Sequence, residues 1–430
     1  MTQEWMTRSV DENSAARLRD GGLDMRLVTG DAVRPRLQAV ARGFQGPESS
    51  EEQLDASVVR NAGKRITGIY DASAPHPDVP VGTVDSWIGE LTLPGRTTLP
   101  AAAISAVTVA QTHRRRGIAR AMLEGELRAA VGAGVPIAML TVSESTLYGR
   151  YGFGVATTAC TIEIDVKRAD WVGPRPDGRV DLISRESARD LVAELHDRVR
   201  LGRPGDISLP PGHEDRFTGT APDAKEGGKV RCVRYADADG AARGILTYTV
   251  SENHDDFTKA KIDVVTLITE TDDAAAALWR YLVDHDLVGT VSASLRSPDD
   301  PVVWMIDDVR AATRTLEDHQ YLRVLDVPAV LQARRYDRVG RVVLEVTDPL
   351  GIAEGRYLLQ TNESGAGSVS AAPDDAATDV RLGVSELSSA VLGSVDLRTL
   401  ARAGRVTGSG VSAAAALLSW PEAAVLGIWY

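Results

Sequence analysis

The feature that most constrains the fold is an ordered series of apolar and polar segments between residues 102 and 142. Residues 102–110 are apolar and β-branched, which predicts a buried strand. A polar, basic turn follows, and after Gly117 apolar side chains recur at helical spacing as far as Val131. Residues 136–142 predict a second strand. The order is therefore strand, basic glycine loop, amphipathic helix, strand.

A weaker copy of this order lies between residues 261 and 295. Residues 261–269 predict a strand, Thr271 begins a helix, and residues 289–295 predict the returning strand. This copy lacks the arginines and the glycine of the first loop. An internal duplication with one degenerate copy is the simplest explanation, and the alternative is chance recurrence of a common α/β pattern.

The length of 430 residues corresponds to about three domains. Residues 1–24 are polar and charged and predict a flexible N-terminal arm. After about Val309 the pattern changes, because residues 319–335 predict a helix-rich entry and residues 337–346 and 356–361 alternate like antiparallel strands. We therefore expect an arm over 1–24, followed by domains over 25–165, 166–308 and 309–430.

Charge and cysteine content exclude several classes of protein. There are 48 basic and 60 acidic residues, giving a net charge of −12, whereas binding to nucleic acid needs a cationic surface. Cys160 and Cys232 provide neither a disulfide framework nor the spacing of metal ligands. The acidic triplets 213–215 and 254–256 are interpreted as solvated loops rather than metal sites. Without an apolar signal segment, we expect a cytoplasmic protein with no membrane partner and no metal.

The first loop has the properties of a diphosphate site. The first amides of a helix have no intrahelical partner, and together with the helix dipole they favour an anion. Gly117 lets the backbone approach a ligand closely, and the arginines before it donate charge-assisted hydrogen bonds. The alternatives are a solvated basic turn or a nucleic-acid patch. The loop is therefore predicted to hold a pyrophosphate.

Here the sequence resembles the GNAT N-acetyltransferases, whose pyrophosphate loop is Arg/Gln-x-x-Gly-x-Gly/Ala. Arg114, Gly117 and Ala119 match that pattern. The segment Ser-Glu-Ser-Thr-Leu-Tyr-Gly-Arg-Tyr-Gly-Phe-Gly that begins at Ser143 is similar to the GNAT segment beside the thioester. A tyrosine in that segment can protonate the leaving thiolate. Tyr148 is the candidate and Tyr151 is the competitor.

The chain as a whole resembles the Eis subfamily of GNAT enzymes. The strings Thr-His-Arg-Arg-Arg-Gly-Ile and Leu-Tyr-Gly-Arg-Tyr-Gly-Phe-Gly are similar to Eis, as is the passage 307–336, which introduces a domain like a sterol carrier protein. The resemblance covers nearly all of the chain after Met25. It implies an α+β fold with two tandem GNAT-like domains, the second degenerate and without coenzyme A, and then the sterol-carrier-like domain.

The same resemblance implies the roles of particular residues, with acetyl-CoA as cosubstrate. Tyr148 would be the general acid, and the terminal carboxylate of Tyr430, where the family has Phe, would be the general base. Ser143 and Glu144 would line the coenzyme A channel. The residues that would contact the pantetheine arm are Val107, Thr108 and Val109. The residues that would surround the pyrophosphate are Arg114, Arg115, Arg116, Gly117, Ile118, Ala119 and Arg120.

The resemblance also implies a homohexamer that acetylates amines of aminoglycoside-like polyamines by direct attack. Neither cysteine lies in a nucleophile motif, so no covalent acyl-enzyme is expected. Two alternatives stay open. One is a protein-lysine acetyltransferase, and the other is a lipid or acyl-chain binding protein with a vestigial GNAT core.

Overall fold

The structure, a computed structural model, describes residues 2–430. The chain forms two compact units. The first comprises the chain up to Ala156, the segment Gln320–Pro421 and Tyr430, and the second comprises Thr157–His319 and Glu422–Trp429. Within residues 2–430, no helix combines the length and the apolar character needed to span a membrane.

Within the described residues, the strands are β1 Asp24–Leu27, β2 Arg65–Tyr70, β3 Gly82–Leu93, β4 Thr97–Val109, β5 Ile137–Thr141, β6 Gly154–Val155, β7 Thr158–Asp165, β8 Arg179–Ile183, β9 Arg231–Ala236, β10 Ala242–Ser251, β11 Ala260–Thr269, β12 Val288–Arg296, β13 Ala312–Asp318, β14 Gln320–Val324, β15 Gly340–Thr347, β16 Gly355–Thr361, β17 Gly367–Ala371, β18 Val380–Gly383 and β19 Val406–Thr407. The α-helices are α1 Thr2–Thr7, α2 Glu12–Arg19, α3 Val33–Gly43, α4 Glu51–Asn61, α5 Ile118–Gly132, α6 Arg185–Arg200, α7 His213–Thr218, α8 Asp272–Val283, α9 Val327–Ala333, α10 Val384–Ala390, α11 Leu397–Arg402 and α12 Val411–Leu418.

The first unit is built on a mixed sheet with the strand order β1-β2-β3-β4-β5-β14-β6. Neighbouring strands are antiparallel except β4 and β5, which are parallel and are joined by α5. Helix α5 buries Met122 and Leu127 completely against this sheet, as the helical spacing predicts. Gly134, with φ +69°, lies just beyond its end. The predicted strand–loop–helix–strand unit is confirmed.

The prediction of a flexible N-terminal arm over residues 1–24 is wrong. Residues 2–7 and 12–19 are helical, and Trp5 and Leu18 lie in the hydrophobic core of the first unit. Asp11 caps α2 and also pairs with Arg128 on α5, at 2.9 Å between Oδ2 and Nη2. The segment is polar overall, but Trp5, Ala15, Leu18 and Leu23 are buried, and their burial supplies the packing energy.

The second unit has the strand order β13-β7-β12-β11-β10-β9-β8. Strands β11 and β12 are parallel and are joined by α8, whose N-cap is Thr271. This arrangement confirms the weaker copy of the strand–helix–strand pattern. Trp279 and Leu282 of α8 are completely buried against the sheet.

A smaller sheet, also in the first unit, has the order β17-β16-β15-β18-β19. Strands β15 and β16 are antiparallel, as the alternating pattern predicts. Residues expected to form a helix-rich entry instead form strand β14 before the short helix α9.

The expected domain boundaries at 165 and 308 fall elsewhere in the structure. Strand β7, which ends at residue 165, pairs with β12 in the second sheet, and β13, which begins after residue 308, pairs with the other edge of β7 in the same sheet. Strand β14 returns to pair with β5 in the first sheet. The chain therefore leaves the first sheet after Val155 and re-enters it at Gln320.

Candidate active site

The central feature of the first unit is a cleft where β4 and β5 separate. The two strands pair only from Ala101 to Ala103 on the β4 side. Beyond that point β4 carries a bulge at Ala106, which has φ +50°, and the Thr83 hydroxyl donates to the Ala106 carbonyl at 2.8 Å. The bulge changes the direction of β4 relative to β5, so backbone groups of residues 107–109 are available at the edge of the cleft.

The loop after β4 presents helix amides without a protein cap. Gly117 is the N-cap of α5 in the left-handed conformation, with φ +77°, and no side chain caps the helix. A Cβ added at Gly117 would meet no heavy atom within 4 Å, so the space above the loop is open. The first amides of α5 are therefore free for an anion such as a pyrophosphate.

The predicted pyrophosphate residues lie on this loop and in the first turn of α5, but their side chains differ in availability. Arg114 and Arg115 are exposed, and Arg115 also has a positive φ of 63°. Arg116 donates to Asp71 at 3.3 Å and to the Gly21 carbonyl at 2.8 Å, whereas Arg120 pairs with Glu124 at 2.6 Å. Gly117, Ile118 and Ala119 contribute backbone, and only Ile118 is buried.

Asp71 connects the loop to the end of β2. Its carboxylate accepts from the Ser73 hydroxyl at 2.6 Å, lies 3.0 Å from His113 Nε2, and is the partner of Arg116. Hydrogen bonds from Ser73, then His113 and Arg116, hold the pKa of Asp71 well below its usual range, so the carboxylate is ionised. Sequence reasoning missed Asp71, because it lies more than forty residues before the loop and no motif marks it.

Asp71→Asn is expected to raise the KM for acetyl-CoA about tenfold, because the amide cannot accept from His113, Ser73 and Arg116 together. The kcat should change little, since Asp71 touches no reacting atom. Steady-state kinetics at varied acetyl-CoA test this expectation. Asp78→Asn is the matched control, because Asp78 is exposed in the same segment. Equal KM values in both variants would show that Asp71 does not position the loop.

The predicted pantetheine residues line the β4 edge of the cleft. Thr108 is buried, and its hydroxyl lies 2.7 Å from that of Thr83. Val107 and Val109 are half-buried. The Thr108 hydroxyl already has a protein partner, so this edge would offer backbone rather than side-chain hydrogen bonds.

The segment after β5 carries Ser143, Glu144 and the two tyrosines. Ser143 and Glu144 are exposed, whereas Tyr148 and Tyr151 are in the core of the first unit. The Tyr148 ring meets Phe153 edge to face, with 6.0 Å between centroids. Burial, assisted by Glu144 and Tyr151, raises the pKa of Tyr148. The phenol is therefore protonated at neutral pH, as a general acid must be.

The C-terminal residue lies at the end of β5. The Thr141 hydroxyl donates to a terminal oxygen of Tyr430 at 3.0 Å, and the Tyr430 ring packs edge-on against Trp87 with 5.3 Å between centroids. The phenol oxygen of Tyr430 is buried beside the Gln320 side chain, and burial raises its pKa. Gln320 is the β14 residue directly opposite Thr141. Sequence reasoning missed these partners, because 289 residues separate Thr141 from Tyr430.

The two residues before Tyr430 belong to the second unit, where a buried histidine holds them. His319 Nε2 donates to the Ile428 carbonyl at 2.8 Å, and the His319 ring meets Trp429 edge to face at 4.5 Å between centroids. Burial lowers the pKa of His319, so its ring is neutral with Nε2 protonated. The tail is thus fixed by backbone and ring contacts up to its last residue.

The comparisons with known families divide the chain in the order that the sequence predicted. Residues 24–156 match a family described as acetyltransferase (GNAT) domain, and residues 213–324 match another family of the same description. Residues 327–427 match a family described as sterol carrier protein domain. The predicted fold class, two GNAT-like domains followed by a sterol-carrier-like domain, is confirmed.

Relatives match over most of the chain. An uncharacterized N-acetyltransferase from Streptomyces griseus is 34% identical over 91% of this chain and 95% of its own length. N-acetyltransferase Eis from Mycobacterium tuberculosis is 33% identical over 84% of this chain and 87% of its own length. The crystal structure of Eis1 from Mycobacterium abscessus has a TM-score of 0.79 at 27% identity, covering 95% of this chain and 100% of that one. The chain therefore belongs to the Eis family of GNAT N-acetyltransferases, enzymes that transfer an acetyl group from acetyl-CoA to an amine.

Proposed function

We propose that this enzyme acetylates amines of aminoglycoside-like polyamines, with the terminal carboxylate of Tyr430 as the general base. The observation that carries the proposal is the hydrogen bond from Thr141 to that carboxylate at the end of β5. On β5, pairing with β4 ends at Met139, two residues before Thr141. A carboxylate at this point can take the proton of an ammonium group that enters the cleft.

Acetyl-CoA supplies the acetyl group as an activated thioester. The uncapped amides of α5 and the open space at Gly117 fit its pyrophosphate, with Arg114 and Arg115 available to add hydrogen bonds. The amine nitrogen forms a bond to the acetyl carbon as the bond from that carbon to sulfur breaks. The terminal carboxylate takes a proton from nitrogen, and Tyr148 gives its phenol proton to the departing sulfur.

Direct attack is supported by the state of both cysteines. Cys160 and Cys232 are buried in the second unit, in β7 and β9. Burial raises the pKa of Cys232 to about 11 and also raises that of Cys160, so neither is a thiolate at neutral pH. A thiol that is neither exposed nor ionised is a poor acyl acceptor.

The preference for a polyamine rests on charge. The chain carries a net charge of −12, and the exposed Glu144 raises the pKa of Tyr148 electrostatically, so its carboxylate lies near that phenol. With one ammonium group at the terminal carboxylate, a polyamine could place another near Glu144. A substrate with several spaced cations would gain from both carboxylates.

Turnover with kanamycin, spermidine and a lysine peptide tests the proposed substrate class. Release of the coenzyme A thiol gives kcat/KM, and mass spectrometry counts the acetyl groups added. We expect kanamycin to be acetylated with a kcat/KM at least about tenfold above that of the peptide. Acetylation of the peptide alone would replace this proposal by protein-lysine acetylation. No turnover with any amine would contradict both.

Tyr148→Phe is expected to lower kcat about 100-fold, at the lower end of general-acid effects, because a thiolate is already a fair leaving group. The pKa of Tyr148 is raised above 10, so wild-type activity should not decline through loss of this proton below about pH 10. A pH–rate profile of both proteins measures this. Tyr151→Phe is the matched control, and a larger loss of kcat in that variant would transfer the role to Tyr151.

A further inference from the structure

The second unit contains its own cleft, in the place that corresponds to the first one. Strands β11 and β12 pair from Ala260 to Val264 on the β11 side and then separate. A cavity of about 250 Å³ lies beyond that point, lined by residues 265–272 after the pairing, residues 294–297, and tail residues Val425, Gly427 and Ile428. This volume is below the roughly 300–1,000 Å³ of sites for drug-sized ligands, so any ligand must be small.

The features that hold a pyrophosphate in the first cleft are replaced here. Helix α8 is capped by the Thr271 side chain, and Asp272 and Asp273 lie in its first turn, so protein groups already complement the helix dipole that a diphosphate would use. Arg296 donates from Nη1 to the Leu267 carbonyl at 2.7 Å, across the gap between the strands. That contact occupies the edge along which a pantetheine arm would pass. The cavity is therefore not a second coenzyme A site.

Arg203 faces this cavity without a partner. Its guanidinium has no carboxylate within 4 Å and no side-chain hydrogen bond among the described residues, although Arg296, in the same cavity, is paired with Asp300 at 2.9 Å. Burial lowers the pKa of Arg203, while Asp206 and Asp300 oppose that shift. Arg203 is half-buried, and an arginine keeps its charge in proteins, so its guanidinium N–H groups are available to an acceptor that enters the cavity.

His196 provides a second unsatisfied group on the same wall. It is 6% exposed, and its Nε2 has no hydrogen-bond partner, since the nearest carboxylate oxygen, on Asp206, is 3.7 Å away. Asp206 Oδ1 already accepts from the amide of Ile207 at 3.1 Å. Among the other carboxylates that line the cavity, Asp300 pairs with Arg296 and Glu270 pairs with Arg198 and Arg243, while Asp272 and Asp299 make no ion pair among the described residues. The Arg203 guanidinium and the His196 Nε2 atom remain without acceptors.

We propose that this cavity binds a small oxyanion, a carboxylate or a phosphate, with Arg203 as its principal partner and His196 as a second donor. Two N–H groups of a guanidinium can donate in parallel to two oxygens of a carboxylate or of a phosphate. The enclosed position strengthens such a bond relative to one in water. The site belongs to the second unit alone and does not depend on the reaction in the first.

Equilibrium dialysis of the intact protein with labelled phosphate and labelled succinate tests the site, with saturating coenzyme A present to occupy the loop at Gly117. We expect saturable binding of one equivalent of at least one of them, and the preferred probe tells phosphate from carboxylate. Arg203→Gln should weaken that binding at least about tenfold. Arg216→Gln, an exposed arginine of α7, should leave it unchanged. No saturable binding of either probe, or binding unaffected by Arg203→Gln, would overturn the proposal.

A measurement on the wild-type protein covers the case in which Arg203→Gln does not fold. Of two sets of crystals, one soaked in selenate, a tetrahedral oxyanion like phosphate, and one in succinate, at least one should show the soaked anion within hydrogen-bond distance of the Arg203 guanidinium. An empty cavity in both sets of crystals, with or without peaks elsewhere on the surface, would contradict the assignment.

Discussion

One residue added after Tyr430 is expected to lower kcat roughly 1,000-fold, within the range that general bases contribute. The extension converts the terminal carboxylate to a peptide carbonyl, which cannot take a proton from the substrate. It also crowds the contact with Thr141. The KM for acetyl-CoA should stay within about twofold, because the pyrophosphate loop is on a different part of the sheet. Steady-state kinetics with kanamycin and varied acetyl-CoA measure both constants.

Tyr430→Phe is the matched control for the extension. It keeps the terminal carboxylate and the ring that packs on Trp87, and it removes only the phenolic hydroxyl beside Gln320. Its kcat is expected to remain within about threefold of wild type. If the extended protein keeps wild-type kcat, the carboxylate is not the base. If Tyr430→Phe lowers kcat as much as the extension does, the phenolic hydroxyl of Tyr430 is the group that the reaction needs.

Asp348→Ala is expected to destabilise the first unit by about 3–5 kcal/mol, the usual cost of leaving one member of a buried ion pair alone. The side chains of Arg323 and Asp348 are completely buried, and Arg323 Nη2 lies 2.7 Å from each carboxylate oxygen. Asp348 also accepts from the amides of Leu350, Ile352 and Ala353. The substitution would leave the guanidinium charge and these donors without an acceptor.

The stability that the Arg323–Asp348 pair contributes depends on pH, in a direction set by the pKa of Asp348. Burial alone would raise the pKa of Asp348, but hydrogen bonds from Arg323 and the backbone lower it below the value in the unfolded chain. The stability is therefore present above about pH 4 and is lost as the pH falls through the folded pKa. Urea unfolding at pH 7 and at decreasing pH measures both effects.

Glu226→Gln, which removes a solvated ion pair, is the control for Asp348→Ala. Glu226 pairs with Lys229 at 2.5 Å, but both side chains are more than half exposed, so the change in stability should lie within about 0.5 kcal/mol. An Asp348→Ala protein as stable as Glu226→Gln would show that the buried pair does not hold β14 against the segment after β15.

Local patterns predicted the parts of the site that are contiguous in sequence. A run of β-branched residues predicted β4, a glycine predicted the loop at Gly117, and an amphipathic stretch predicted α5. These elements could be predicted because each of them depends on neighbours within a few residues. The degenerate copy was predicted in the same way. The structural counterpart of its missing glycine loop is the side-chain cap of Thr271 in place of an uncapped glycine.

Contacts between distant segments could not be predicted. The polar N-terminal segment packs through Trp5 and Leu18, whose partners lie in other elements of the unit. Strand β14 carries an ordinary apolar pattern, and nothing in it specifies pairing with β5 rather than with its sequence neighbours. Asp71, Trp87 and Thr141 are single residues of common types. Their roles appear only when the sheet and the tail bring them to the loop or to the C-terminus.

A crystal structure of the intact protein with coenzyme A tests the central claim most directly. We predict that the diphosphate lies on the amides of Gly117, Ile118 and Ala119, with the pantetheine arm between β4 and β5 and its sulfur near the Tyr148 hydroxyl. The cavity of the second unit should contain no coenzyme A. Coenzyme A bound in the second unit, or a first cleft that stays empty at saturating coenzyme A, would contradict this account.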